Sequence, residues 1–103
     1  MPISRRSSDP AARAEAAQGL ALSAVQYLAL DMDRLQRFMD LSGASPQSLR
    51  ERLADAGFLA GVLDHLLGDE ALLLDFAAWA GLPPESIAEA RRFILPGAAE
   101  ETG

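Results

Sequence analysis

At 103 residues with 50% hydrophobic content, the chain has enough apolar material for one core and too little length for two domains. Its net charge is −6, all nine basic residues are arginine, and it has no cysteine, which excludes disulfides, thiolate catalysis and cysteine-ligated zinc. An acidic chain is repelled by phosphate backbones unless its bases gather on one face, so nucleic acid is a disfavoured partner.

Ala and Leu dominate, and the only β-branched residues are Ile3, Val25, Val62, Ile87, Ile94 and Thr102. That bias favours helix over pleated sheet, so the expected fold is all-α, a compact bundle of five or six short helices. Residues 1–8 are polar and read as a disordered N-terminal tail. Arg5 and Arg6 resemble the start of a twin-arginine export signal, but Ser8, Asp9 and Glu15 stand where apolar residues would be needed. Asp9 and Pro10 then open a long first helix to about Leu30, because a carboxylate accepts orphan N–H groups and proline tolerates the first helical position. Leu20, Ala24, Tyr27 and Leu28 give it one buried face, and Gly19 should loosen its first turns. The most apolar window, Gly19 to Leu30, is about 12 residues against the roughly 20 that cross a bilayer, so no membrane association is expected.

Asp31 caps a second helix with Leu35, Phe38 and Met39 inward, and Gly43 ends it in a left-handed conformation. Ser45 and Pro46 open a third, to about Ala56, with Leu49 and Leu53 on one face. Asp55 and Gly57 mark the next boundary. From Phe58 to Leu67, Leu59, Val62, Leu63, Leu66 and Leu67 form a stripe broad enough for the central helix. Gly57 and Gly61, on either side of Phe58, read as a place of close helix packing. Gly68 and Asp69 start a fifth helix through Leu72, Leu73, Phe76 and Trp79 to Ala80, stopped by Gly81. Pro83 and Pro84 start a sixth through Ile87, Ala90, Phe93 and Ile94, closed by Pro96 and Gly97. The single helical domain spans residues 9–96, and residues 97–103 read as a disordered acidic tail.

Sliding the chain against itself by 38 positions aligns Leu28, Asp31, Leu35, Phe38, Gly43, Pro46, Ser48 and Glu51 with Leu66, Asp69, Leu73, Phe76, Gly81, Pro84, Ser86 and Glu89. Those are eight identities in about 30 positions, where the composition alone gives roughly three. The expectation is two similar helical hairpins after a long first helix. The arginines are not shared: Arg34, Arg37, Arg50 and Arg52 fall opposite Leu72, Asp75, Ala88 and Ala90.

Two stretches, RFMDLSGASPQSLRERL from Arg37 and FLAGVLDHLLGDEALLLDFAAWAG from Phe58, resemble the bacterial domain-of-unknown-function family numbered 3572. Arg37, Phe38, Gly43, Pro46, Leu49 and Arg50 match one part of its pattern, and Val62, Leu63, Asp64, Asp69 and Glu70 the other. The resemblance covers about residues 20–95 and implies a small helical bacterial protein, with no functional residue to carry over. The lysine-free composition, rich in Ala and Gly, points the same way, to a GC-rich bacterial genome.

A helix-turn-helix over residues 46–55 is the alternative to a protein-interaction role. Gln47, Ser48, Arg50 and Arg52 could reach DNA, but Arg50 and Arg52 lie about 200° apart on a helix and Glu51 sits between them. Arg37 or Arg50 pairing with Asp40 or Asp64 is the simpler expectation. His65 beside Asp64 is no dyad, since adjacent helical positions point about 100° apart, and Asp69 with Glu70 reads as a cap and a first-turn acid. The expectation is a cytoplasmic, non-catalytic interaction or regulatory module without cofactor or metal, binding another protein or itself. Its candidate partner-binding residues are Arg34, Arg37, Arg50, Arg52 and Trp79.

Overall fold

Six helices make up the computed structural model: α1 (Pro10–Ala29), α2 (Met32–Ser42), α3 (Pro46–Arg52), α4 (Ala56–Leu67), α5 (Glu70–Ala80) and α6 (Glu85–Phe93). The structure describes residues 10–94, with no strand among them, so the all-α expectation holds. The two expected tails, the arginine pair at 5 and 6 and the closing Pro96 and Gly97 lie outside the described residues. No helix among those described is long and apolar enough to cross a membrane.

The helix ends follow from local chemistry. The Asp31 carboxylate accepts from the backbone N–H groups of Asp33 and Arg34 and starts α2; Asp69 accepts from Leu72 and starts α5. Gly43 and Gly81 end those helices with φ of 77° and 71°, where a Cβ is penalised. Ser45 and Ser48 exchange bonds in a capping box at the start of α3. Three features differ from the sequence reading. α1 runs unbroken through Gly19, because its packed face outweighs one glycine. α3 stops at Arg52, short of Ala56, because Asp55 turns out of the helix and its side chain accepts from the Gly57 N–H. That cap also starts α4 at Ala56, ahead of Phe58.

α1 packs against α2, α4, α5 and α6, and α4 packs against α5 and α6 as well. Ala21, Ala24, Leu28, Val62, Leu63, Leu66, Phe76 and Ile87 are completely buried at these seams. A fully buried Leu, Ile or Phe contributes about 1.5–3 kcal/mol, so this set dominates the stability. α2 and α5 are both 11 residues long, with bounds 38 residues apart at each end, and Asp31 and Asp69 share an extended backbone. Their successors are unequal. α6 lies on both α1 and α4 and buries Ile87 and Ala90, whereas the 7-residue α3 buries none of its residues and packs closely on neither.

The glycines give a test of opposite signs. Gly43→Ala and Gly81→Ala should each lower the unfolding free energy by about 1–2 kcal/mol through left-handed strain alone, since a Cβ there meets nothing within 4 Å. Gly61 is helical and equally open, so Gly61→Ala should raise stability by about 0.5–1 kcal/mol in urea titrations. A destabilised Gly61→Ala would contradict the packing described.

Candidate functional site

The two halves of the chain close on each other through crossed aromatic pairs. Tyr27 of α1 meets Phe76 of α5 with ring centroids 5.5 Å apart. Phe38 of α2 meets His65 of α4 at 5.1 Å. Positions 27 and 65, like 38 and 76, are 38 residues apart, so the second pair occupies the same place in the hairpin arrangement as the first. The surroundings of the two pairs differ.

Around Tyr27 the niche is full. Trp79 packs 5.6 Å from the Tyr27 ring and 6.1 Å from Phe76. The Tyr27 hydroxyl donates to Asp75, and the Arg34 guanidinium lies 4.5 Å over the Tyr27 ring while its Nη2 donates to Asp75 at 3.3 Å. Tyr27 is only 2% exposed. Burial, with the bond to Asp75, pushes its pKa up to about 12, against the opposing pull of Arg34.

Around His65 the niche is open. A groove of about 300 Å³ lies between α2 and α4, lined by Phe38, Leu41, Ser42, Gly57, Phe58, Gly61 and His65. Leu41 stands where the other half has Trp79, and it is 71% exposed. α2 meets α4 through Phe38, whose ring lies 5.7 Å from Phe58 and 5.1 Å from His65, and the groove opens beside that contact. The expected close packing at Gly57 and Gly61 is therefore corrected: nothing approaches within 4 Å of a Cβ built on Gly61, and both glycines are bare backbone in the groove wall. Burial pushes the His65 pKa down, Arg37 adds to that, and Asp69 opposes it.

Of the five candidate residues, the structure gathers some and commits others. Arg34 is held by Asp75, Asp31 and the Tyr27 ring. Arg37 is exposed beside His65, in a small cleft with Asp33, Asp69 and Leu72. Arg52 sits over the Phe58 ring, 5.9 Å from its centroid. Arg50 is exposed in the last turn of α3, where the helix dipole favours a cation. Trp79 is 48% exposed, with one face on the core. The expected pairing of Arg37 or Arg50 with Asp40 or Asp64 does not occur. Arg91 grips Asp64 through two bonds of 2.7 and 3.1 Å, and Asp40 accepts from Gln36 at 2.9 Å. Arg37 and Arg50 form no ion pair among the described residues.

Sequence reasoning missed Leu41, Phe58 and His65 as site residues. The available signal was the 38-residue shift, which puts Leu opposite Trp79 and His opposite Tyr27, smaller groups in an equivalent place. The groove offers two phenyl rings, one hydroxyl and one imidazole, with no carboxylate in its lining. Such a lining suits holding an apolar group better than transferring protons.

A family model described as "Protein of unknown function (DUF3572)" matches residues 14–98, a span that holds nearly all of α1 and the five helices after it. No curated protein and no solved structure matches the chain.

The two rings predict pH effects at opposite ends of the scale. Tyr27 has a folded pKa above its ordinary 10.0, so the stability of its neutral form is complete below pH 10.0 and lost as pH rises to about 12. Tyr27→Phe should remove that alkaline fall in the urea midpoint. His65 has a folded pKa below 6.5, so its contribution is complete above pH 6.5 and declines as pH falls through the lowered value. His65→Phe should flatten the acid limb, and identical limbs for variant and wild type would contradict the burial of the imidazole.

Proposed function

This chain belongs to the DUF3572 family of proteins of unknown function, and we propose that it is a non-catalytic bacterial interaction module that docks another protein in the groove between α2 and α4. One observation carries this reading: of two equivalent aromatic niches, one is sealed by Trp79 and the other is open, with Leu41 exposed at its mouth. An apolar groove that the chain does not fill itself suits an inserted side chain from elsewhere. The arginines of the first hairpin fit the same role, since Arg37 and Arg52 flank the groove without a carboxylate partner. The matching caps and bounds of α2 and α5 support an internal repeat, in which the first copy leaves the groove beside His65 unfilled. A cytoplasmic setting accords with the absence of cysteine.

DNA binding through residues 46–55 has less support. α3 has only 7 residues, and Arg50 and Arg52 lie about 200° apart on it. A recognition helix needs several side chains on one exposed face.

Affinity capture of soluble protein from the source bacterium tests the docking reading. A protein recovered by the wild type and lost with Gly61→Phe, which fills the groove, is the expected result. Identical captures by both would contradict it. Duplex DNA should not be retarded at about 50 mM salt. Retardation abolished by the double change Arg50→Ala, Arg52→Ala would move the function to DNA.

A further inference from the structure

We infer that the occupant of the α2/α4 groove is an acidic segment of a partner protein that inserts one aromatic side chain, an inference that rests on the docking reading above. Size points to a single anchor: about 300 Å³ is at the small end of ligand cavities, which run from roughly 300 to 1,000 Å³. The wall chemistry points to a ring. Phe38, Phe58 and His65 present edges and faces to the groove, with Phe38 meeting Phe58 and His65 at 67° and 70°. Gly57 and Gly61 let a flat group lie close to backbone. In the equivalent niche of the other half the same place is taken by the indole of Trp79.

Charge selects the flanks. Arg52 covers Phe58 on one side of the groove, and Arg37 stands beside His65 on the other. Neither makes an ion pair among the described residues; Asp33 and Asp69 share the small cleft of Arg37 and His65 without closing to ion-pair distance of Arg37, no acid lines the groove itself, and Asp40 is engaged by Gln36. A guanidinium without a carboxylate partner on each side of an apolar groove matches carboxylates on both sides of the anchor.

A second copy of this chain is the weaker occupant. Among the described residues the exposed aromatic ring is Trp79, near Asp75, but that indole already covers Tyr27 and Phe76, and Asp75 already holds Tyr27 and Arg34. Withdrawing Trp79 would expose those rings. A groove on one copy taking Trp79 of the next would also form a head-to-tail contact that need not close.

The test is selection of a random peptide library on the wild type, counter-selected on Gly61→Phe, with sedimentation of the protein alone. Expected is enrichment of peptides with Phe, Tyr or Trp flanked by Asp or Glu. Their binding should shift the amide resonances of Gly57, Gly61 and His65. It should weaken about tenfold or more in Gly61→Phe, a hot-spot-sized loss, and weaken with salt. Leu41→Glu, at an exposed position that leaves the core intact, should also abolish it by placing a carboxylate at the mouth. Enrichment of basic or purely aliphatic anchors, still lost in Gly61→Phe, overturns the acidic aromatic occupant while leaving the docking reading standing. A library with no binder sensitive to Gly61→Phe overturns both. A wild-type dimer that Gly61→Phe dissociates overturns this occupant in favour of a second copy.

Discussion

Neither half of this chain buries its aromatic ring within itself. Tyr27 closes on Phe76 and His65 on Phe38, each pair joining the end of one helix to the helix that follows in the other half. That crossing makes the two hairpins interdependent: α1 and α4 form a common seam of Leu28, Val62, Leu63 and Leu66, and the rings seal its flanks. A domain of this size has a stability of only about 5–15 kcal/mol, and truncating one buried Phe costs about 3–5 kcal/mol. A buried ring of these crossed pairs is therefore worth a sizeable fraction of the stability.

The halves meet this constraint unequally. In the second, Trp79 fills the niche beside Tyr27, and α6 lies on both α1 and α4 with Ile87 fully buried. In the first, Leu41 and His65 leave a groove in the corresponding space, and α3 buries no residue. The well-packed half supplies the stability. The other keeps an apolar groove with Arg37 beside it outside any ion pair, and on the proposed docking role this is where a partner would sit. Division of this kind lets a small domain retain a less stable edge without losing its fold.

How much was legible follows from the range of each interaction. Asp31, Gly43, Asp69 and Gly81 act within a few residues, so the ends of α2 and α5 could be read directly from sequence. The end of α3 could not, because Asp55 competes with helix continuation and the winner depends on what packs nearby. Gly57 and Gly61 were ambiguous for a physical reason: a missing side chain marks either a close approach or an empty space, and only the position of α2 decides between them. The pairings of Arg34 with Asp75 and of Arg91 with Asp64, 41 and 27 residues apart, are set by helix packing and leave no local mark. Hence the arginine cluster is uniform in sequence, while in the fold Arg34 is held by Asp75, Arg52 lies over Phe58, and Arg37 and Arg50 form no ion pair among the described residues.

The central claim is that a firmly packed half supports a loosely packed one. Native-state amide hydrogen exchange reads it most directly, because it assigns an opening free energy to each segment. The account predicts that amides of α1, α4 and α6 exchange only through global unfolding, while those of α2 and α3 open at distinctly lower free energy. Uniform protection across all six helices would contradict it.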